Sequence, residues 1–275
     1  MKYTAFLSLF VVLFAVTACG SDDKSLDSKF EPDTPVETLY NQAASELDQK
    51  NYERAFALFN EVERQHPYSQ WATRAQLMAA YAAYQAQDYN ESLLALDQYI
   101  RLHPGHKDID YAYYLKALNF YDQISDVGRD QEMTQLAREN FESLLRVYPN
   151  SKYARDARLK LDLVLDHLAG KEMSIGRYYL VRNQYSAAIK RFMNVVKDYQ
   201  TTTHTPEALH RLVEAYLSLG IREEAVRVAA VLGYNYPGSV WYEDTYKLLN
   251  EEERQKLMDD RGFFDRTFES LFRPE

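Results

Sequence analysis

The chain has 275 residues, 46% hydrophobic and 27% charged, a balance that supports a packed core and excludes a wholly disordered chain. Nine glycines and eight prolines are few for an all-β protein of this length, so the composition leans to helix. A net charge of −9 argues against wholesale phosphate binding, and no nucleic-acid partner is expected.

In chain order, Lys2 precedes a twelve-residue apolar run, Ala5–Val16. That is the length of a signal-peptide core and short for a bilayer span. The run closes on Val16-Thr17-Ala18-Cys19, which holds the chain's only cysteine. These four residues resemble the bacterial lipobox, in which a peptidase cuts ahead of a lipidated cysteine. The resemblance implies a signal peptide over 1–18 and a covalent lipid on Cys19, S-diacylglycerol plus an N-acyl chain; no other cofactor is expected. Gly20 stands where an aspartate would signal inner-membrane retention, which implies a lipid-anchored protein on the periplasmic face of the outer membrane. One cysteine excludes an intramolecular disulfide. Residues 20–35, GSDDKSLDSKFEPDTP, are polar and carry two prolines. With Cys19 they read as a flexible tether over 19–35.

The next two hundred residues repeat. Aligned on Ala55, Ser92, Ala137, Ala188 and Ala225, position +4 is Phe59, Leu96, Phe141, Phe192 and Ala229, and position +7 is Val62, Tyr99, Leu144, Val195 and Leu232. Positions 0, +4 and +7 share one helix face. Position +12 is Pro67, Pro104, Pro149, Gln200 and Pro237, and a proline there stops the helix. Ser69, Ser151 or Ser239 follows two residues on, placed to cap the next helix. Twelve residues before the small residue stand Ala43, Ala80, Ser125, Gly176 and Val213, mostly small, as close helix contact requires. The pattern is that of the tetratricopeptide repeat: helix pairs that bury their apolar faces only by stacking. We therefore expect an all-α protein, a solenoid of five tetratricopeptide-like helix pairs over 36–245. Repeat spacings of 37, 45, 51 and 37 place insertions in units three and four. The first, DQISDVGRDQEM, reads as a loop or short helix. The second, LDHLAGKEMSIG, reads as a lengthened helix broken at Gly170.

His66 and His103 occupy the position just before the proline and His106 a capping position, so these histidines are repeat positions and no metal site is expected. Nucleophile-elbow, phosphate-loop, zincin and dinucleotide-binding motifs are all missing from the sequence, and no catalytic residue is assigned.

In a stacked superhelix the first helix of each pair lines the concave face. The inward positions of unit two are Arg74, Leu77, Tyr81 and Tyr84; those of unit three are Tyr111, Tyr114, Leu118 and Tyr121, with Tyr40 equivalent in unit one. Tyrosine offers rigid contact area with a polar tip. The candidate peptide-binding set is Arg74, Tyr81, Tyr84, Tyr111, Tyr114 and Tyr121, with packing between repeats as the competing role.

The runs LHPGHKDIDYAYYLKAL, GRD, YPNSKYARDARLKL and RYYLVRNQYSAAIKR, taken with the lipobox, resemble the BamD (ComL) family of lipoproteins of the outer-membrane β-barrel assembly machinery. The resemblance covers roughly residues 30–235. It implies a non-catalytic role: docking on the periplasmic domains of BamA, association with other lipoproteins of the machinery, and reception of unfolded β-barrel proteins through their C-terminal signal. It places the BamA contact toward the C-terminal repeats, where Tyr178, Tyr179, Arg182 and Arg191 are the candidates. The alternative is a generic tetratricopeptide scaffold lipoprotein that organises envelope or cell-wall proteins.

Residues 246–275 read as a capping helix followed by an amphipathic tail. Phe263, Phe264, Phe268, Leu271 and Phe272 form one stripe, with Asp259, Asp265, Arg266 and Glu269 off it. The amphipathic segment as a whole is charge-balanced and not rich in Lys and Arg, which favours docking on protein over a membrane surface.

The lipobox reading predicts that Cys19→Ala abolishes acylation and membrane retention. Mass spectrometry that found an unmodified Cys19 in the membrane-bound native protein would contradict it.

Overall fold

A computed structural model describes residues 34–259; the expected signal peptide, Cys19, nearly all of the tether and the tail from residue 260 lie outside them. Within 34–259 the chain forms twelve helices: α1 (Val36–Asp48), α2 (Tyr52–Gln65), α3 (Gln70–Gln85), α4 (Tyr89–Leu102), α5 (Ile109–Tyr121), α6 (Glu132–Val147), α7 (Ala154–Val181), α8 (Tyr185–Asp198), α9 (Thr205–Ser218), α10 (Arg222–Asn235), α11 (Val240–Leu248) and α12 (Glu251–Asp259). The first ten make the five antiparallel pairs that the repeat predicts, and each of these ten packs chiefly on its neighbours in sequence. Beyond these, α1 lies on α3, α3 on α5 and α9 on α11. The first helices of successive pairs therefore form the inner layer, and the second helices the outer one. None of the described helices is long and apolar enough to cross a membrane.

The apolar face of each second helix makes the core. Phe59, Leu96, Phe141 and Phe192 at position +4 and Val62, Tyr99, Leu144, Val195 and Leu232 at position +7 are fully buried. They merge into a cluster at each end and one between: units one and two, units two and three, and units three to five with Leu249 behind α11. The small residues beneath them, Ala55, Ser92, Ala137, Ala188 and Ala225, are equally closed to solvent. Gly176 of α7 is required by this closeness, since a Cβ there would stand 2.4 Å from Cε1 of Phe192.

Two joints alternate along the stack. At the proline joint, the Ser69 hydroxyl accepts from the Ala72 N–H (3.0 Å) and the Ser239 hydroxyl from the Trp241 N–H (3.2 Å). Ser151 accepts from Tyr153 N–H at 3.1 Å, one turn ahead of α7. At the tight joint within a pair, Lys50, Gln87, Asn183 and Gly220 hold φ between 59° and 77°. These four fall five residues before the small residue of their units. The N–H that follows each bonds back to Glu46, Ala83, Tyr179 or Tyr216, the left-handed closure that ends helices.

The insertions depart from expectation. Residues 122–131 form a loop without helix, so Ser125 is not the small contact residue of unit three; Ala117, fully buried on α5, is. α7 runs unbroken for 28 residues. Gly170 does not break it, because the glycine serves clearance: a Cβ there would sit 3.2 Å from His204 Nε2 and 3.7 Å from Val127 Cγ1. The helix break near the C-terminus falls at Leu249–Asn250 and not at 245–246, so α11 begins a sixth pair. α12 opens on a reciprocal cap in which Asn250 Oδ1 accepts from Glu253 N–H and Glu253 Oε2 accepts from Asn250 N–H, both at 2.9 Å. Arg222 clamps the same carboxylate at 2.6 Å.

Candidate peptide groove and partner surface

Two successive first helices, α3 and α5, bring most of the candidate tyrosines together. The Tyr81 ring lies 6.5 Å from Tyr84 on its own helix and 6.5 Å from Tyr111 on α5. Tyr111 continues to Tyr153 at 5.2 Å, and Tyr153 stacks on Tyr114 at 4.9 Å with 11° between planes. The result is one aromatic wall across units two, three and four, each ring half-buried. Such pairs hold each other in fixed tilts through their ring quadrupoles.

The phenols are tied down across the repeats. Tyr84 donates to the Asp122 carboxylate and Tyr114 to the Asp156 carboxylate. Lys160 Nζ also approaches Asp156, at 2.9 Å, and stands 5.7 Å from the centre of the Tyr121 ring. Burial first, then the neighbouring carboxylate, pushes the Tyr84 and Tyr114 hydroxyls up. Burial does the same to Tyr111. All three are neutral at ordinary pH, so Tyr84 and Tyr114 keep the protons they donate. Asp156 is held below the usual carboxylate range by the Tyr114 hydroxyl, with Lys160 adding to it.

Two members of the set stand apart. Tyr121 packs edge-on against Phe141 at 5.9 Å, beyond the end of the wall. Arg74 is exposed, its guanidinium 6.0 Å from the Trp71 ring centre. It forms no ion pair among the described residues. Trp71 leads on to Tyr40 at 4.8 Å, so Arg74 belongs with the separate aromatic group of unit one.

Sequence reasoning missed Tyr153, Asp122 and Asp156. Tyr153 had a signal. It falls four residues after the proline, where Trp71 and Trp241 stand in units two and five-to-six. Asp156 occupies the inward register of Arg74 and Tyr111, seven residues after the proline. Asp122 lies at the start of the insertion, where the repeat register gives no guidance.

The partner candidates separate into two places. Tyr178 is exposed, meets Tyr179 edge-on at 5.6 Å and carries the Arg182 guanidinium 4.3 Å above its ring. Tyr179 packs partly on the core. Arg191 belongs to neither ring. It lies on the flank of α8, where it bonds Glu172 of α7 at 3.0 Å, and Asn194 bonds the same carboxylate at 2.8 Å.

The histidines hold joints. His66 donates to the Thr34 carbonyl at 2.9 Å, His103 donates to Gln76 Oε1 at 2.6 Å, and His106 Nδ1 accepts from the Tyr99 hydroxyl at 2.7 Å. Among the described residues no group of three His, Cys, Asp or Glu is placed to hold a metal ion.

The Tyr114–Asp156 bond gives a pH signature. A lowered folded-state pKa contributes stability above the carboxyl's unfolded pKa of about 4, and that stability is lost as pH falls through the folded value. Tyr114→Phe removes the donor, so Asp156 should titrate closer to the ordinary range. The stability gap between native and variant should be widest at neutral pH and narrow below about pH 4. Carboxyl NMR titration and denaturant midpoints measure both; an unmoved Asp156 titration would contradict the assignment.

Comparison with known proteins places the chain. A family model described as YfiO, outer membrane lipoprotein, matches residues 32–232. The chain is 50% identical over 241 residues to the outer membrane protein assembly factor BamD of Caulobacter vibrioides, covering 88% of this chain and 79% of that protein. It is 47% identical over 250 residues to the protein of the same name from Rickettsia prowazekii, covering 90% and 98%. Against that of Neisseria meningitidis serogroup A it is 36% identical over 243 residues, covering 85% and 90%. The chain therefore belongs to the YfiO family of outer membrane lipoproteins.

Proposed function

We propose that this protein is a non-catalytic assembly factor for outer-membrane β-barrel proteins, anchored through a lipid on Cys19 at the periplasmic face. Its groove receives the C-terminal signal of unfolded barrel proteins, and its C-terminal repeats dock the periplasmic domains of BamA. The names of the relatives support the assembly role. The observation that carries the groove reading is the continuous wall of Tyr81, Tyr111, Tyr153 and Tyr114. Such signals are extended, rich in aromatics and end in a carboxylate. The wall offers ring faces for the aromatics, and exposed Arg74 supplies a cation without a competing carboxylate. For the partner, α8 presents Arg191 beside Glu172, and Tyr178 with Arg182 presents an exposed aromatic and a cation, residue types typical of interface anchors.

A labelled peptide carrying the C-terminal residues of a β-barrel protein tests the groove. Tyr81→Ala with Tyr114→Ala should weaken its binding by about 1–3 kcal/mol. Unchanged affinity in a double variant that is folded by circular dichroism would leave the tyrosines as packing residues.

The partner face is tested by recovery of BamA from detergent-solubilised membranes. Arg191→Glu should reduce it, whereas Glu172→Gln, which removes the internal pair and leaves the arginine, should not. Equal loss in both variants would assign Arg191 to holding α8 on α7 alone.

A further inference from the structure

The insertion of unit three builds a site that the tyrosine wall does not account for. Loop 122–131 crosses the middle of α7 and encloses an open cleft of about 860 Å³, a size common for binding sites. The loop is braced. Lys171 Nζ donates to the carbonyls of Gly128 (3.0 Å) and Arg129 (3.1 Å), and Gln131 Oε1 lies 3.1 Å from His167 Nδ1. Gly170 forms part of the lining, where any side chain would press on His204 and Val127.

The chemistry of the cleft is divided. Its walls are apolar: Ile124 and Val127 from the loop, Leu163 and Val164 from α7. Leu163 is 60% exposed, and Leu159, one turn earlier on α7, is 59% exposed. They occupy the inward registers that Tyr81 and Leu77 fill in unit two, so the concave face continues from the tyrosines into the cleft, with Tyr121 at the junction. The rim is polar. Asp166 is fixed by the N–H and hydroxyl of Thr203, at 3.0 and 2.7 Å, and Asp126 by the Gly128 N–H at 2.7 Å. Arg177, the rim's arginine, is engaged by Glu207 at 2.8 Å.

We propose that this cleft is a side-chain subsite of the groove, taking a bulky aliphatic or aromatic residue of an extended polypeptide whose flanking residues are neutral or basic. The proposal rests on the groove reading above and adds a second anchoring point to it. Two exposed leucines on a concave helix face lose water to an apolar side chain, and the two oriented carboxylates disfavour an acidic flank. A barrel strand alternates apolar and polar residues, so in extended form it offers an apolar side chain at every second position. A segment lying along the wall thus has side chains of the right kind for the cleft.

The test uses the full-length protein and a fluorescein-labelled peptide from the C-terminus of a β-barrel protein, with binding read by anisotropy. Leu163→Glu should weaken binding at least fivefold, while Leu94→Glu, at a slightly more exposed position on α4 of the outer layer (67%), should leave it unchanged. Leu163 is on the surface, so circular dichroism should find the variant folded. A photoreactive phenylalanine at position 163 should capture the peptide, and glutamates flanking its apolar residue should lower capture. Native protein that binds while Leu163→Glu binds equally well, with no capture at 163, overturns the subsite and leaves the groove reading standing. Native protein that fails to bind overturns both.

Discussion

The fold depends on close contact between two small residues, one on each helix of a pair. Ser92 shows how close: its hydroxyl donates across to the backbone carbonyl of Ala80, twelve residues earlier, at 2.9 Å. Ala43 with Ala55, Ala80 with Ser92, and Gly176 with Ala188 keep the same spacing, all closed to solvent. A methylene added at such a crossing costs about 1–3 kcal/mol, because the large residues around it have nowhere to move. The separation inside each pair is therefore nearly constant. With it fixed, Phe59, Leu96, Phe141 and Phe192 fill the same position in units one to four, and α1, α3 and α5 come into contact on the inner side.

The groove is a product of that regular stacking. Tyr81 lies on α3, Tyr111 and Tyr114 on α5, and Tyr153 directly ahead of α7, and they meet because those three elements arrive in register. The hydroxyls of Tyr84 and Tyr114 are spent between repeats, on Asp122 and Asp156, which holds those rings and leaves parts of their faces to solvent. A wall fixed before binding loses little side-chain entropy when a partner settles on it. Packing thus does not compete with the proposed binding role of these tyrosines, since the packing sets the surface. At the far end the same stack closes differently. α12 is strongly polar and is held by the Asn250–Glu253 cap and the Arg222–Glu253 pair, so the last helix pair does not present a full apolar face.

Much of this was legible because period and proline are local signals. Positions 0, +4, +7 and +12 located five second helices and their stops without any knowledge of contacts. The reading failed where the period was interrupted. Counting back twelve residues from Ala137 lands on Ser125, in the inserted loop, and the true contact residue is Ala117. Gly170 was misjudged for a different reason: a glycine permits a bend and also permits close approach, and only the position of His204 and Val127 decides between them. The inward tyrosines were found, but their anchors were not. Asp122 and Asp156 come from other elements than the tyrosines they bind, and pairing across repeats carries no fixed spacing once insertions intervene. Arg191 was grouped with Tyr178 and Arg182 by nearness in sequence; across the turn between α7 and α8 it pairs with Glu172, while Arg182 lies over the Tyr178 ring.

The central claim is that the inner layer of first helices is the receiving surface. Hydrogen–deuterium exchange on the full-length protein, with and without a C-terminal peptide of a β-barrel protein, tests it most directly. The account predicts added protection on α3, α5 and the first half of α7, with α4, α6 and α8 unchanged. Protection confined to the outer helices, or none at a saturating peptide concentration, would contradict it.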